Sequence, residues 1–210
     1  MKKIIVFISG NGEILQSLIN NCKNGLIKAN IIAVISNKKY AYGLFRAKKA
    51  KIPTFYIDKK NFINRNSYDK KLLKITKYLN PELIVLAGFM HILSLDFINF
   101  FKGKILNIHP SLLPKYPGLN THNKVINNNE KEHGTTVHFV TEILDNGPII
   151  LQSKITISKK DTKDTLIKRI KIQEKNIYPL VVKWFISGRL IMKNNKAILD
   201  GHVLSIKGLK

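Results

Sequence analysis

The chain has 210 residues, 44% of them hydrophobic, and a formal net charge of +23. That length suits one domain with a substantial core. Its single cysteine, Cys22, excludes an intrachain disulfide, and no apolar run reaches the roughly 18–20 residues of a membrane-spanning helix.

The opening Lys2–Ser9 resembles the start of a signal peptide but is too short for its apolar region, so Ile4–Ile8 is read as a first, doubly buried strand. Ser9-Gly10-Asn11-Gly12 is a tight loop, followed by a helix over Ile14–Cys22, in which Cys22 fills the helix face. Further strands are expected at Ile31–Ile35, Pro53–Ile57, Leu83–Ala87 and Ile105–Ile108, and helices at Tyr42–Lys51, Ser67–Leu79 and Leu95–Phe101. Leu72, Leu73, Ile75 and Leu79 form the apolar stripe of the Ser67–Leu79 helix. Strands alternating with helices predict an α/β fold with a doubly wound, mostly parallel sheet. The pattern then changes: Thr135–Val140 and Ile149–Ile157 look like longer strands joined across a turn at Asp145, an antiparallel C-terminal extension. Asp161–Ile186 reads as helix, N-capped by Asp161 or Thr162, with Pro179 expected to bend or interrupt it. A short hairpin or tail follows from Leu190, and no repeat or domain boundary is visible.

The charge invites a nucleic-acid partner. However, the basic residues comprise 32 Lys and only 4 Arg, scattered through helices without interleaved aromatics. Base readers favour the planar fork of Arg. Lys, Asn and Ile are also the products of A/T-rich codons, so genome composition can supply the charge without selection for a partner. The expectation is a cytoplasmic protein with neither a specific nucleic acid nor a membrane as partner.

The chemistry concentrates in Asn107-Ile108-His109-Pro110. On a strand, positions i and i+2 share a face, so the amide and the imidazole project side by side. Pro110 cannot continue the ladder and holds His109 extended, placing the pair where a strand ends and open α/β sheets bind ligands. The turn Leu144-Asp145-Asn146-Gly147-Pro148 can supply a carboxylate to orient and charge the imidazole, although 36 residues separate it from His109. Amide, imidazole and carboxylate together can stabilise an oxyanion and move a proton. The Gly10–Gly12 loop, between a strand and a helix, suits a phosphate but reads equally as a simple tight turn. It lacks the third Gly and the acidic residue of a dinucleotide site. The six histidines show no ligand spacing for a metal, and His138 reads as a packed or hydrogen-bonded strand residue.

Asn107–Pro114, Leu86-Ala87-Gly88-Phe89-Met90, Lys115-Tyr116-Pro117-Gly118 and His133–Val140 together resemble the phosphoribosylglycinamide formyltransferase family of folate-dependent formyltransferases. The similarity runs from Ile4 to about Gly201. It implies a single formyltransferase domain over 1–210, with the ribotide phosphate side at about 1–100 and the catalytic and folate side at about 101–210. It also implies transfer of a formyl group from 10-formyltetrahydrofolate, as co-substrate and without a metal, to glycinamide ribonucleotide in purine synthesis. By resemblance, Asn107, His109 and Asp145 are catalytic. Gly12, Glu13, Ile14, Gln173 and Glu174 would bind the ribotide. Arg65, Met90, His91, Ile92, Leu93, Asn107 and the run Thr141, Glu142, Ile143, Leu144, Asp145 would bind the folate. The chain departs from the family pattern at Glu13-Ile14, where Ser-Asn is usual, at His91, where Arg is usual, and at Asn146, where Gly is common. A 10-formyltetrahydrofolate hydrolase is the nearest alternative, but its relatives carry a regulatory domain that this length does not hold. A methionyl-tRNA formyltransferase needs a further RNA-binding domain, and a basic RNA-binding protein leaves the three chemical residues unexplained.

Overall fold

The computed structural model describes residues 1–209. The chain forms two compact units, Met1–Leu106 and a second beginning at Asn107.

The first unit contains β1 (Lys2–Ile8), α1 (Glu13–Lys23), β2 (Ala29–Ser36), α2 (Tyr42–Lys49), β3 (Thr54–Tyr56), α3 (Arg65–Leu79), β4 (Leu83–Leu86) and α4 (Leu95–Phe100). Its strands lie in the order β3-β2-β1-β4, every pair parallel. This is the order that crossover helices produce, because parallel neighbours cannot be joined by a tight turn. Ile4–Ile8 are at most 1% exposed, as expected of a strand covered on both faces. Phe7 anchors the packing, with its ring edge-on to Phe89 at 5.1 Å and to Phe97 at 5.9 Å. Helix α3 starts two residues earlier than its apolar stripe suggests. The Asn64 side chain accepts from the Ser67 amide and the Ser67 hydroxyl answers the Asn64 amide, a capping box that fixes the first turn. A single 3-10 turn at Lys59–Asn61, capped by Asp58, was not predicted.

Strand β5 (Ile105–His109) carries the chain into the second unit, which holds α5 (Thr121–Asn127), β6 (Glu132–Phe139), β7 (Ile149–Thr156), α6 (Lys163–Ile186), β8 (Leu190–Lys193), β9 (Lys196–Leu199) and β10 (His202–Val203). Strands β5, β6 and β7 are neighbours in that order, and β6 pairs antiparallel with β7. The fold class is therefore the expected one: a mostly parallel α/β sheet with an antiparallel C-terminal extension.

Pro179, expected to bend or interrupt α6, does not interrupt it: the helix runs unbroken from Lys163 to Ile186. Pro179 and its neighbours Tyr178, Val181 and Val182 are buried, so packing along one face outweighs the lost backbone hydrogen bond, a cost of about 3 kcal/mol. The short hairpin expected from Leu190 is β8–β9, and β10 extends it into a separate three-stranded antiparallel sheet, β10-β9-β8. Helix α5 is also unannounced by the sequence; its seven residues bury only Thr121 and Val125.

Candidate active site

His109 is the last residue of β5 and 5% exposed. The segment after it is stapled to β6 by threonine side chains. The Thr135 hydroxyl donates to the His109 carbonyl at 3.0 Å, and the Thr136 hydroxyl donates to the Ser111 carbonyl at 2.6 Å. Gln152 adds a bond from its amide to the Leu113 carbonyl at 2.8 Å. These buried bonds fix where the imidazole leaves the strand.

The turn after β6 brings Asp145 back to the end of β5. Asp145 adopts φ 50°, in the left-handed region, and the Phe139 amide donates to the Pro148 carbonyl at 3.0 Å to close the loop. Gly147 is required here: a Cβ on it would lie 1.8 Å from the Phe139 carbonyl oxygen. The 36-residue separation in sequence thus closes to 3.3 Å between His109 Nδ1 and Asp145 Oδ2. The Gly118 amide donates to the same oxygen at 2.8 Å, and Asn107 Nδ2 lies 3.4 Å from Oδ1. Amide and imidazole therefore converge on one carboxylate, as their i, i+2 spacing requires.

His109 Nε2 donates to the Tyr116 carbonyl at 2.8 Å. Both ring nitrogens thus face acceptors.

The sequence reading missed His138 as part of this cluster. It is 2% exposed, and burial pushes its imidazole down to about 4. Its Nδ1 donates to the Phe139 carbonyl at 2.9 Å, which leaves Nε2 as an acceptor for Asn107 Nδ2 at 3.1 Å. Neutral His138 makes no ion pair with Asp145 Oδ1 at 3.8 Å; its role is to orient the Asn107 amide. The available signal was its i, i+2 relation to Thr136 on the same strand face, which alone named no chemistry. His122 and His133 meet at 3.0 Å between Nδ1 and Nε2.

In the first unit, the Ser9–Gly12 loop is moulded by the start of α2. The Gly43 amide donates to the Gly10 carbonyl at 3.1 Å, and Arg46 Nε donates to the Asn11 carbonyl at 2.9 Å. Gly12 sits at φ 71°, where a Cβ would come within 2.6 Å of Gly43 Cα. Gly12 precedes α1 without a side-chain cap. Asn11 Nδ2 donates to Glu13 Oε1 at 3.3 Å.

The Met90–Leu93 segment is held by its backbone. The Met90 amide donates to the Ser9 hydroxyl at 2.7 Å, Asn37 Nδ2 donates to the Met90 carbonyl at 3.3 Å, and Arg65 donates to the Ile92 carbonyl at 3.0 Å. His91 turns inward. Its Nε2 meets Asp69 Oδ1 at 2.5 Å and its ring stands edge-on to Tyr68 at 4.8 Å. Burial lowers its imidazole despite the neighbouring carboxylate. Met90 and Ile92 are exposed apolar side chains, while Leu93 is buried.

In the second unit, Thr141 is half-buried and Glu142 exposed, and Ile143 and Leu144 are exposed apolar side chains. On α6, Gln173 Oε1 accepts from the Ser153 hydroxyl at 2.7 Å, and Glu174 is half-buried. Among the described residues, no group of three or more His, Cys, Asp or Glu side chains is placed to hold a metal ion, and no helix is long and apolar enough to cross a membrane.

Residues 2–182 match the formyl transferase family model. The chain belongs to the formyl transferase family. It is 49% identical to the phosphoribosylglycinamide formyltransferase of Escherichia coli, over 98% of this chain and 97% of that one. It is 52% identical to the enzyme of the same name from Haemophilus influenzae, over 99% and 98%. A solved phosphoribosylglycinamide formyltransferase from Coxiella burnetii superposes with a TM-score of 0.95 at 46% identity, covering 99% of this chain and 98% of that one. These full-length relatives are transferases, and the matches place the chain among the formyltransferases of purine biosynthesis.

Proposed function

We infer that the chain transfers the formyl group from N10 of 10-formyltetrahydrofolate to the free amine of glycinamide ribonucleotide. The amine nitrogen attacks the formyl carbon, and the carbonyl electron pair moves to oxygen to give a tetrahedral oxyanion. Collapse of that intermediate breaks the carbon–N10 bond. N10 leaves with a proton and the new amide sheds one, so no covalent enzyme intermediate is needed.

The observation that carries this reading is the convergence of Asn107 and His109 on Asp145. On this reading the His109 ring, oriented by the Asp145 carboxylate, lies beside the formyl oxygen and helps stabilise the oxyanion. The Asn107 amide keeps one N–H on His138 Nε2, and its long 3.4 Å contact to Asp145 is the one a developing oxyanion would replace. We assign the ribotide to Gly12, Glu13, Ile14, Gln173 and Glu174, with the phosphate on the first amides of α1. We assign the folate to Arg65, Met90–Leu93, Asn107 and Thr141–Asp145. On this reading 1–210 acts as one formyltransferase domain in the cytoplasm. It has small-molecule substrates and no metal. Its stretch of about 1–100 serves the ribotide phosphate, and about 101–210 serves catalysis and the folate.

Asn107→Ala and His109→Ala test the assignment. Each is expected to lose about 10²–10³ in turnover while the fold persists, the usual cost of removing one oxyanion donor. Folded variants with near-normal turnover would show that the chemistry lies elsewhere.

A further inference from the structure

The Lys115-Tyr116-Pro117-Gly118 turn touches both members of the His109–Asp145 pair. The Tyr116 carbonyl accepts from His109 Nε2 at 2.8 Å, and the Gly118 amide donates to Asp145 Oδ2 at 2.8 Å. Tyr116 reaches this position with φ 56°, a left-handed conformation that costs a non-glycine residue about 1 kcal/mol or more. Something must hold it there.

The hold lies at the far end of α5. The Tyr116 hydroxyl donates to Glu130 Oε1 at 2.7 Å and accepts from Asn128 Nδ2 at 2.8 Å. Lys115 Nζ bridges the same carboxylate, at 2.8 Å and 3.0 Å to its two oxygens. Glu130 is itself placed by the helix end. Asn129 turns the chain at φ 49°, and the Glu130 amide donates back to the Val125 carbonyl at 3.1 Å. Lys115 and Tyr116 hold the Glu130 carboxyl below its usual range, so it is ionised at neutral pH. Exposed pairs of this kind add little to global stability. This pair is instead attached to a strained residue whose carbonyl addresses the imidazole.

We propose that Glu130 and the Tyr116 hydroxyl are positioning residues for catalysis. They clamp the Lys115–Gly118 turn so that its Tyr116 carbonyl and Gly118 amide hold His109 and Asp145 in register. The inference rests on the reading that His109 and Asp145 carry the chemistry. Neither Glu130 nor the tyrosine hydroxyl touches substrate; both act through the turn.

The test compares Tyr116→Phe, Glu130→Ala, their double variant, Glu130→Gln and His109→Ala in the full chain. The measurements are kcat, KM for both substrates, thermal midpoint and the ¹⁵N ring signals of His109. Tyr116→Phe and Glu130→Ala are each expected to lower kcat about tenfold, since small misplacements of reacting groups are costly. Both KM values should stay within about twofold, and the His109 ring signals should move, because a merely structural role would leave them alone. The double variant should be no worse than the weaker single one, because both act on one turn. Glu130→Gln should recover most of the loss, its amide oxygen still accepting from Tyr116. If His109→Ala is inactive but Tyr116→Phe and Glu130→Ala keep kcat within about twofold with unchanged ring signals, the clamp is overturned and the active-site reading stands. If His109→Ala keeps its turnover, the underlying reading falls, and the clamp with it.

Discussion

Asp145→Asn is the sharpest perturbation of the site, because it keeps the shape of the side chain but removes its charge and one of its acceptors. Its Oδ2 faces two donors, the Gly118 amide at 2.8 Å and His109 Nδ1 at 3.3 Å. Its Oδ1 faces the Asn107 amide nitrogen at 3.4 Å. An asparagine offers one oxygen and one NH₂ group. If the oxygen takes the Oδ2 place, the NH₂ group confronts the NH₂ of Asn107; if it flips, the NH₂ group confronts Gly118 and His109. Either rotamer leaves donor against donor. The lost charge matters more. The two side chains lie 3.3 Å apart and each is 7% exposed, so solvent screens little between them. A loss of about 10²–10³ in kcat, equivalent to roughly 2.7–4 kcal/mol, is the scale expected when an oxyanion-stabilising group is disrupted. KM for each substrate should change by less than about threefold, since the term removed acts mainly on the transition state. Initial rates of formyl transfer would be measured on protein shown to be folded by circular dichroism and thermal melting. A folded Asp145→Asn enzyme with kcat within about tenfold of the parent would refute the reasoning.

Two other expectations follow from the geometry. Gly12→Val combines a left-handed φ of 71° with a Cβ 2.6 Å from Gly43 Cα, so the phosphate loop must deform. KM for the ribotide should rise at least about tenfold more than KM for the folate, with a lowered thermal midpoint; equal changes in both KM values would show general misfolding instead. Stability should also fall on mild acidification. Burial lowers the imidazoles of His133 and His138 from 6.5 to about 4, so below pH 6.5 the unfolded chain takes up protons that the folded chain refuses. The stabilisation is full above pH 6.5 and is lost as pH falls from 6.5 toward 4, at about 1 kcal/mol per histidine by pH 5.5. Urea midpoints at pH 7.5 and 5.5 check this, and an unchanged midpoint would contradict the buried neutral state of both rings.

The strand–helix alternation of the first unit was legible because doubly buried strands leave short continuous apolar runs, as in Ile4–Ile8 and Leu83–Leu86. Asn107 and His109 were legible for a similar reason: strand periodicity and Pro110 fix their directions locally. What the sequence concealed depends on tertiary context. Pro179 reads as a break because propensity is local, while the apolar neighbours that keep α6 continuous come from packing. Helix α5 is too short and too polar to show a helical stripe. His138 looks like any strand histidine until the Asp145 turn folds back and β5 places the Asn107 amide against it. The turn's contacts to both His109 and Asp145 are made by backbone groups of Tyr116 and Gly118, which carry no side-chain signature at all.

The central claim is that the formyl group goes to an amine on a ribotide. The most direct test supplies 10-formyltetrahydrofolate with glycinamide ribonucleotide, water and initiator methionyl-tRNA as competing acceptors, and follows the labelled formyl carbon. The account predicts that the label appears on the glycinamide amine, that release of free formate is negligible, and that His109→Ala slows the transfer about 10²–10³-fold. Formate released at a comparable rate without ribotide, or label appearing on the tRNA, would contradict it.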